Sequence, residues 1–404
     1  MSKMLSDYLY TDEVARVEAL LETLPWDQAR HDRVEAKAID LVTRVREGKR
    51  KTGEMEAFLQ QYALTTEEGL ALMGMAEALL RIPDAHTAKA LIRDKVGSAD
   101  WALTGKPKDW LVKAAGLGMS ITKKTLDSMV ARLGEPVIRQ AMLQAIRIMG
   151  NQFVLGQSID EAIKNAKPFE KKGYRMSYDM LGEGARTAED AARYFEAYMK
   201  AIDTLGARVT PENGKMPGIS VKLSALHPRY RVSQEDRCLP VLTERLTEIC
   251  KAASSRNIAV TVDAEEVERL DLSLKIIEAV AANENFKSWD GLGLAVQAYS
   301  KRTLPLIDHL VDVTNALNRR LSVRLVKGAY WDTEVKRAQI MGLPDYPVYT
   351  RKPHTDVCYL ACARRLLEAD PYHRAGVWAH VTVEPFLGAA GRWVGGLAWK
   401  NAAK

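Results

Sequence analysis

The chain has 404 residues, a hydrophobic share of 47% and a formal net charge of +6, which allows two or three domains and excludes a chain too polar to form a core. No apolar run reaches the roughly 18 residues of a membrane span, and the N-terminus lacks a secretory signal, so we expect a cytoplasmic protein. The positive charge is spread along the chain, which favours anionic ligands and argues against a nucleic acid partner.

The first 166 residues predict helices. From Asp12 onwards apolar residues recur at three-to-four spacing, and Thr65 to Glu68 form a capping box at the start of one such helix. A methionine-rich cluster over Lys108 to Met149 is more typical of a packed core than of a cofactor site. We predict a helical arm over residues 1–85 and a helical domain over residues 86–166.

From about residue 167 short β-rich runs alternate with amphipathic helical stretches. The predicted strands are Tyr174–Leu181, Gly218–Leu226, Ile258–Asp263, Gly291–Ala298 and Leu321–Lys327. The predicted helices between them are Ala188–Leu205, Cys238–Ser255, Leu270–Asn283 and Leu304–Asn318. This alternation indicates a parallel sheet with helical crossovers, hence an α/β fold. No G-x-G-x-x-G follows any strand, which favours a (β/α)8 TIM-type barrel over a doubly wound sheet.

A polar side chain marks each predicted strand at or near its carboxyl end. These residues are Asp179, Lys222, Asp263, Gln297 and Arg324. In a barrel these strand ends meet at one mouth, where ligands bind. Burying the Asp263 carboxylate unpaired would cost several kcal/mol, so we expect Lys222 beside it. For the same reason the Arg324 guanidinium needs an anion or an edge rich in hydrogen-bond acceptors.

The residues that follow the last predicted strand favour a flat ligand. Gly328 and Ala329 remove side-chain bulk, and Tyr330 and Trp331 are suited to frame a planar ring. The seven histidines are scattered without zinc-ligand spacing, the four cysteines form no C-x-x-C pair, and G-x-S-x-G is absent. These patterns predict a large planar cofactor and no metal.

Seven stretches together carry a resemblance to a known family. They are Tyr174 to Glu183, Val221 to Tyr230, Val262 to Glu266, Val296 to Tyr299, Val323 to Asp332, Tyr349 to Lys352 and Thr355 to Val357. In order and spacing they resemble the proline dehydrogenase domain of the bifunctional proline utilization A flavoproteins, over roughly Leu5 to Asp370. The resemblance implies FAD-dependent oxidation of L-proline to 1-pyrroline-5-carboxylate, with a quinone as the electron acceptor.

The resemblance also implies roles for individual residues. Lys222 would take the proline carboxylate, Asp263 would support the substrate site and contact the cofactor, and Arg324 would lie by the flavin N5. Tyr330 would form a wall of the substrate site. The remaining cofactor contacts would come from Val296, Gln297, Val326, Lys327, Gly328, Ala329, Trp331, Thr350, Arg351 and Thr355.

The end of the chain departs from this pattern. Only 80 residues follow Arg324, which at about 30 residues per strand–helix unit allows two more units. We therefore expect a partial barrel over residues 167–370 with about five to six strands, and an unrelated tail over residues 371–404. The family's final arginine-bearing helix is not found, so we expect weak proline affinity or none.

Two other interpretations stay open. In one, the chain is a non-catalytic product that acts through its helical N-terminus on protein partners or on the inner face of the cell membrane. In the other, it is an unrelated flavin barrel that acts on folates or amines, which rests on fold analogy alone. The sequence leaves peripheral membrane association and homo-oligomer formation undecided.

Overall fold

The computed structural model describes residues 5–49, 87, 154–181, 184–208, 217–369 and 376–381. Contacts divide the chain into two units, one of Met1–Pro25 with Leu155–Lys404 and the other of Trp26–Val154. The predicted domain boundaries differ from these units and stay predictions. The capping box at Thr65 and the methionine-rich cluster lie outside the described residues.

A parallel sheet of six strands forms the centre of the first unit. The strands are β1 (Ser177–Asp179), β2 (Gly218–Val221), β3 (Ala259–Val262), β4 (Leu292–Gln297), β5 (Arg320–Val326) and β6 (Gly376–Val381). They are paired in chain order. Helical crossovers join consecutive strands, so the predicted α/β architecture of a partial TIM-type barrel is confirmed.

The described residues also form helices, all but one of them in the first unit. In chain order they are α1 (Glu13–Glu22), α2 (Gln28–Lys49), α3 (Ile159–Glu170), α4 (Ala188–Arg208), α5 (Leu223–Leu226), α6 (Glu235–Ser254), α7 (Leu270–Ala281), α8 (Thr303–Leu317), α9 (Trp331–Met341) and α10 (Lys352–Ala369). The helix α2 belongs to the second unit. In the described part of the chain, no helix combines the length and apolar character that a membrane crossing requires.

Capping residues define where two of these helices begin. The Asp12 carboxylate accepts a hydrogen bond from the Ala15 N–H at 2.8 Å and starts α1. Ahead of α4, the Thr187 hydroxyl accepts from the Asp190 N–H, and Asp190 accepts in return from the Thr187 N–H, each at 3.1 Å. Such reciprocal caps satisfy N–H groups that a helix cannot bond internally. The Thr187 and Asp190 pair fixes the start of α4, which supplies a residue of the site described below.

Strand β2 is shorter than predicted. The apolar run was expected to remain extended to Leu226, but the chain leaves the sheet at Lys222 and Leu223–Leu226 form one helical turn, α5. Leu223 and Leu226 are almost fully buried in this turn, and a short apolar run alone cannot distinguish a strand from a buried turn. Lys222 is consequently the first residue beyond the strand.

Candidate active site

Asp263 lies at the centre of a buried cluster of charges. Its Oδ2 lies 2.7 Å from the Lys222 Nζ and its Oδ1 lies 3.0 Å from the Arg324 Nη1. The side chains of Lys222 and Asp263 are only 6% and 4% exposed, and that of Arg324 is 16% exposed. Each carboxylate oxygen therefore has one cation, which offsets the cost of burying the charges. The expected pair of Lys222 with Asp263 is present, and Asp263 is also the anion that Arg324 needed.

Two further contacts hold Lys222 in place. The Tyr198 hydroxyl, from α4, accepts a hydrogen bond from the backbone N–H of Lys222 at 3.2 Å. The Lys222 Nζ also lies 3.6 Å from Oδ1 of Asp179, the last residue of β1. Lys222 thus lies between two carboxylates, one from each neighbouring strand.

Two serines that the sequence reasoning missed bind the Arg324 guanidinium. Its Nη1 donates to the Ser220 Oγ at 3.0 Å, and its Nη2 donates to the Ser177 Oγ at 2.9 Å. Side chains two residues apart on a strand share a face. That period was a usable signal, because Ser177 precedes Asp179, and Ser220 precedes Lys222, by two residues.

The side chain of Gln297 links the ends of three strands. Its amide nitrogen donates to the backbone carbonyl of Glu265 at 2.8 Å, and its amide oxygen accepts from the Ala329 N–H at 3.2 Å. Both ends of the amide are therefore fixed in orientation. The Glu265 carboxylate accepts from the Ser224 N–H at 3.0 Å. Burial raises the pKa of Glu265, and the Arg269 guanidinium beside it opposes that shift only in part.

The glycine after β5 is required by its surroundings. Gly328 has a φ of +126°, which side chains rarely tolerate, and a Cβ there would lie 1.4 Å from the Tyr299 Cδ1. Val296 and Val326, on the two strands that lead to this point, are buried at 2% and 7% exposure. The Tyr299 ring therefore packs directly against the Gly328 backbone.

Several predicted cofactor residues lie around the start of α9. Tyr330 is the N-cap of that helix, and Trp331 donates its indole N–H to the Tyr349 carbonyl at 2.8 Å while 39% of it stays exposed. The Lys327 Nζ lies 2.6 Å from the Asp356 Oδ1, and the Lys352 Nζ lies 2.8 Å from its Oδ2. Two cations thus share one carboxylate.

The other predicted contacts form a second group at the start of α10. Thr350 and Arg351 are exposed, whereas Thr355 is buried and its N–H donates to the Arg351 carbonyl at 3.4 Å. A residue from the N-terminal helix joins them, since the Glu13 carboxylate accepts hydrogen bonds from Thr350. The sequence gives no signal for this contact, because the two residues are 337 positions apart.

The fold and this cluster define a TIM-type barrel protein with a charged site at the carboxyl ends of its strands. The family model described as proline dehydrogenase matches residues 162–382. This match covers more than half of the chain, and the chain belongs to the proline dehydrogenase family. The match extends beyond residue 370, where the resemblance was expected to end, and it includes β6.

Relatives and solved structures agree with this assignment. The chain is 44% identical over 375 residues to the bifunctional protein PutA of Klebsiella aerogenes, which covers 88% of this chain and 28% of that protein. It is 26% identical over 199 residues to proline dehydrogenase 1 of Bacillus subtilis, covering 49% and 57%. A crystal structure of a proline utilization A mutant from Bradyrhizobium japonicum is 43% identical with a TM-score of 0.66, covering 92% and 38%. The chain spans 28% of the length of the Klebsiella aerogenes protein and 38% of the Bradyrhizobium japonicum chain.

A second family model matches the N-terminal region. It is described as the DNA-binding domain of proline dehydrogenase and matches residues 54–153. That description runs against the expectation of no nucleic acid partner. Apart from Thr87, the matched stretch lies outside the described residues, so the expectation stays a prediction that the structure does not test.

Proposed function

We propose that this site oxidises L-proline to 1-pyrroline-5-carboxylate with FAD as the hydride acceptor. The observation that carries the proposal is the buried cluster of Lys222, Asp263 and Arg324 at the strand ends, in a chain of the proline dehydrogenase family. A solved structure of proline utilization A, 42% identical, is described with proline bound in remote sites. The charges of proline and the charges of this cluster are complementary.

The cluster suits a small zwitterion. Proline carries a carboxylate and a ring nitrogen, and it therefore needs a cation and a polar acceptor close together. In the proposal Lys222 binds the carboxylate, and Asp263 holds Lys222 and Arg324 in fixed positions through its two oxygens. Tyr330 forms the wall of the substrate site. Because the cluster is buried, its charges act in a poorly screened environment, which strengthens their pull on a charged ligand.

The residues after β4 and β5 fit a flavin dinucleotide. Val296 and Gln297 would line the isoalloxazine ring, and the fixed Gln297 amide and the half-exposed Trp331 suit a planar group with hydrogen-bonding edges. Lys327 and Lys352 share Asp356 and together leave one net positive charge for phosphates. Val326, Gly328 and Ala329 would follow the cofactor. The residues that would hold its distal part are Thr350, Arg351 and Thr355.

The reaction removes a hydride from the ring carbon beside nitrogen and a proton from the nitrogen, so that a C=N bond forms between them. Bound FAD would supply the acceptor for the hydride at N5. Within the chain, Lys222 orients the substrate and Arg324 places a positive charge at the site, where negative charge develops as the flavin is reduced. The proton from nitrogen is released to solvent.

In the same proposal the electrons then pass to a quinone, and the chain meets the membrane surface only peripherally. Reoxidation of the proline-reduced chain by a short-chain soluble quinone tests the first point. Cosedimentation with vesicles that contain anionic lipid tests the second. The expected results are rapid recovery of the oxidised flavin and salt-sensitive binding.

Anaerobic mixing of the FAD-loaded chain with millimolar L-proline tests the main proposal. Loss of the visible flavin absorbance is expected, and it would contradict the expectation from the sequence that proline affinity is absent. Arg324→Met should slow this bleaching on the order of 100-fold, the usual size of losing one electrostatic contact to the transition state. Arg320→Met is the matched control, because Arg320 lies on the same strand and its Nη1 lies 3.6 Å from the exposed carboxylate of Asp290. A chain that holds FAD and does not bleach would contradict the proposal.

A further inference from the structure

Glu13, the first residue of α1, makes three contacts at the start of α10. Its carboxylate accepts from the Thr350 N–H at 3.0 Å and from the Thr350 hydroxyl at 2.8 Å. The same carboxylate meets the His354 Nδ1. One side chain from the N-terminal helix thus holds the backbone and side chain of Thr350 and a ring one turn further on.

The Glu13 carboxylate is charged in this setting. Burial raises the pKa of Glu13, but the hydrogen bonds from His354 and Thr350 outweigh that effect, and the pKa lies below its ordinary value. Charge-assisted hydrogen bonds of this kind are stronger than neutral ones. The arrangement therefore fixes the orientation of Thr350 more firmly than a neutral acceptor would.

Other contacts set the position of Glu13 itself. The N-terminal segment, residues 5–24, is tied to the barrel by Lys301, whose fully buried Nζ donates to the Thr11 carbonyl at 2.9 Å. The Arg16 Nε donates to the Lys301 carbonyl at 3.3 Å, and the Arg364 Nη1 donates to the Thr23 carbonyl at 2.8 Å. Val17 and Leu20 belong to the hydrophobic core of the barrel unit. The segment is therefore attached to the barrel both before Glu13, at Thr11, and after it, at Arg16 and Thr23.

The hydrogen bond to Glu13 decides what Thr350 can offer a ligand. A threonine hydroxyl has one proton and two lone pairs, and here the proton points to the carboxylate. The Thr350 Oγ1 is therefore left as an acceptor. A ligand hydroxyl or amine suits it, whereas a phosphate oxygen would meet an occupied donor beside a negative charge.

We propose that Glu13 is a positioning residue for the distal end of the cofactor, acting through Thr350 and His354, so that the N-terminal helix contributes to dinucleotide binding. The inference rests on the proposed FAD site. Glu13 lies outside the barrel strands and their connections. In this proposal it takes part in selecting the adenylate half of the cofactor.

Titration of the full chain with FAD and with FMN, each to millimolar concentration, tests this role. FMN carries the same ring as FAD without the adenylate half. Glu13→Ala should weaken FAD binding about tenfold, equivalent to 1.4 kcal/mol, and leave FMN binding unchanged. Glu13→Gln should lie between, because its amide oxygen can still accept from Thr350. Glu18→Gln, an exposed position on the same helix, is the control and should change neither affinity.

The outcomes separate the two proposals. If the unaltered chain binds neither flavin, both the proposed function and the role of Glu13 are wrong. If FAD and FMN weaken equally in Glu13→Ala, or if neither changes, the FAD site stands and the positioning role of Glu13 is wrong. Melting temperatures of the flavin-free variants identify a general loss of folding, which would also lower both affinities together.

Discussion

Lys222 and Asp263, which follow adjacent strands, meet at 2.7 Å with both side chains almost fully buried. Asp263 does not depend on this partner alone, because its second oxygen binds Arg324 at 3.0 Å. Lys222 in turn has Asp179 at 3.6 Å. The two residues of the pair are thus unequal. Removing Asp263 takes its carboxylate from Arg324 and leaves Lys222 with the more distant Asp179. Removing Lys222 leaves Asp263 still paired with Arg324.

This inequality predicts an order of stabilities. Asp263→Ala should lower the free energy of unfolding by about 3–5 kcal/mol, the usual cost of an uncompensated buried charge. Lys222→Met should cost clearly less, since its aliphatic part is retained and Asp263 keeps Arg324. Urea unfolding of both variants measures the order. Equal losses would mean that the charges of the cluster are well solvated.

The same pair separates substrate binding from chemistry. Lys222→Met should raise the proline concentration needed for half-maximal flavin bleaching at least tenfold, because the cation for the substrate carboxylate is gone. FAD affinity should stay unchanged. Anaerobic bleaching at increasing proline concentration, with flavin fluorescence as the binding measure, tests this. A large loss of FAD affinity would mean that Lys222 contacts the cofactor and not the substrate.

The cluster could be predicted from the sequence because each strand is an apolar run that ends near a polar residue. Gln297 is the last residue of its strand, and Lys222 and Asp263 each lie one residue beyond theirs. The serines were missed because serine is common on either face of a strand and carries no charge signal. Glu13 could not be predicted, since a contact across 337 residues depends on packing that no local pattern encodes.

Two glycines with positive φ provide a comparison of steric clash with backbone strain. Gly328→Ala should lower stability by more than about 3 kcal/mol, because the new Cβ would lie inside the Tyr299 ring at 1.4 Å from Cδ1. Gly342→Ala, with φ of +58° and nothing within 4 Å of the new Cβ, should cost only about 1–2 kcal/mol of backbone strain. Thermal and urea unfolding measure both. Similar losses would show that Tyr299 moves aside.

Arg319, at the opposite end of β5 from the site, anchors the loop before β4. Its guanidinium is nearly buried and donates to the carbonyls of Ala281 at 2.6 Å, Phe286 at 2.5 Å and Trp289 at 3.1 Å. Arg319→Met should therefore cost about 3–5 kcal/mol, because three buried carbonyls lose the hydrogen bonds that the guanidinium supplies. Proline-dependent bleaching by the folded variant should be unchanged. Arg320→Met, next to it and more exposed, should change stability by less than about 1 kcal/mol.

Titration of Glu334 lowers the stability of the folded chain as the pH rises. It is 2% exposed and accepts from the Val267 N–H at 2.7 Å, and burial, with Glu266 and Glu268 nearby and Arg337 opposing them, raises its pKa above the usual 4.5. The folded chain therefore binds the Glu334 proton more tightly than the unfolded chain. The stability that this proton contributes is fully present below the pKa of the unfolded state and is lost as the pH rises through the pKa of the folded state. Glu334→Gln keeps the acceptor without the charge, so relative to the unaltered chain it should be more stable at pH 8 than at pH 4. Asp345→Asn should show the opposite trend. Burial alone would raise the pKa of Asp345, but the hydrogen bonds from Lys301 and the Tyr346 N–H, with the charge of Lys301, together outweigh it and lower that pKa. Unfolding at both pH values measures the two trends, and equal trends would contradict the assignment to Glu334.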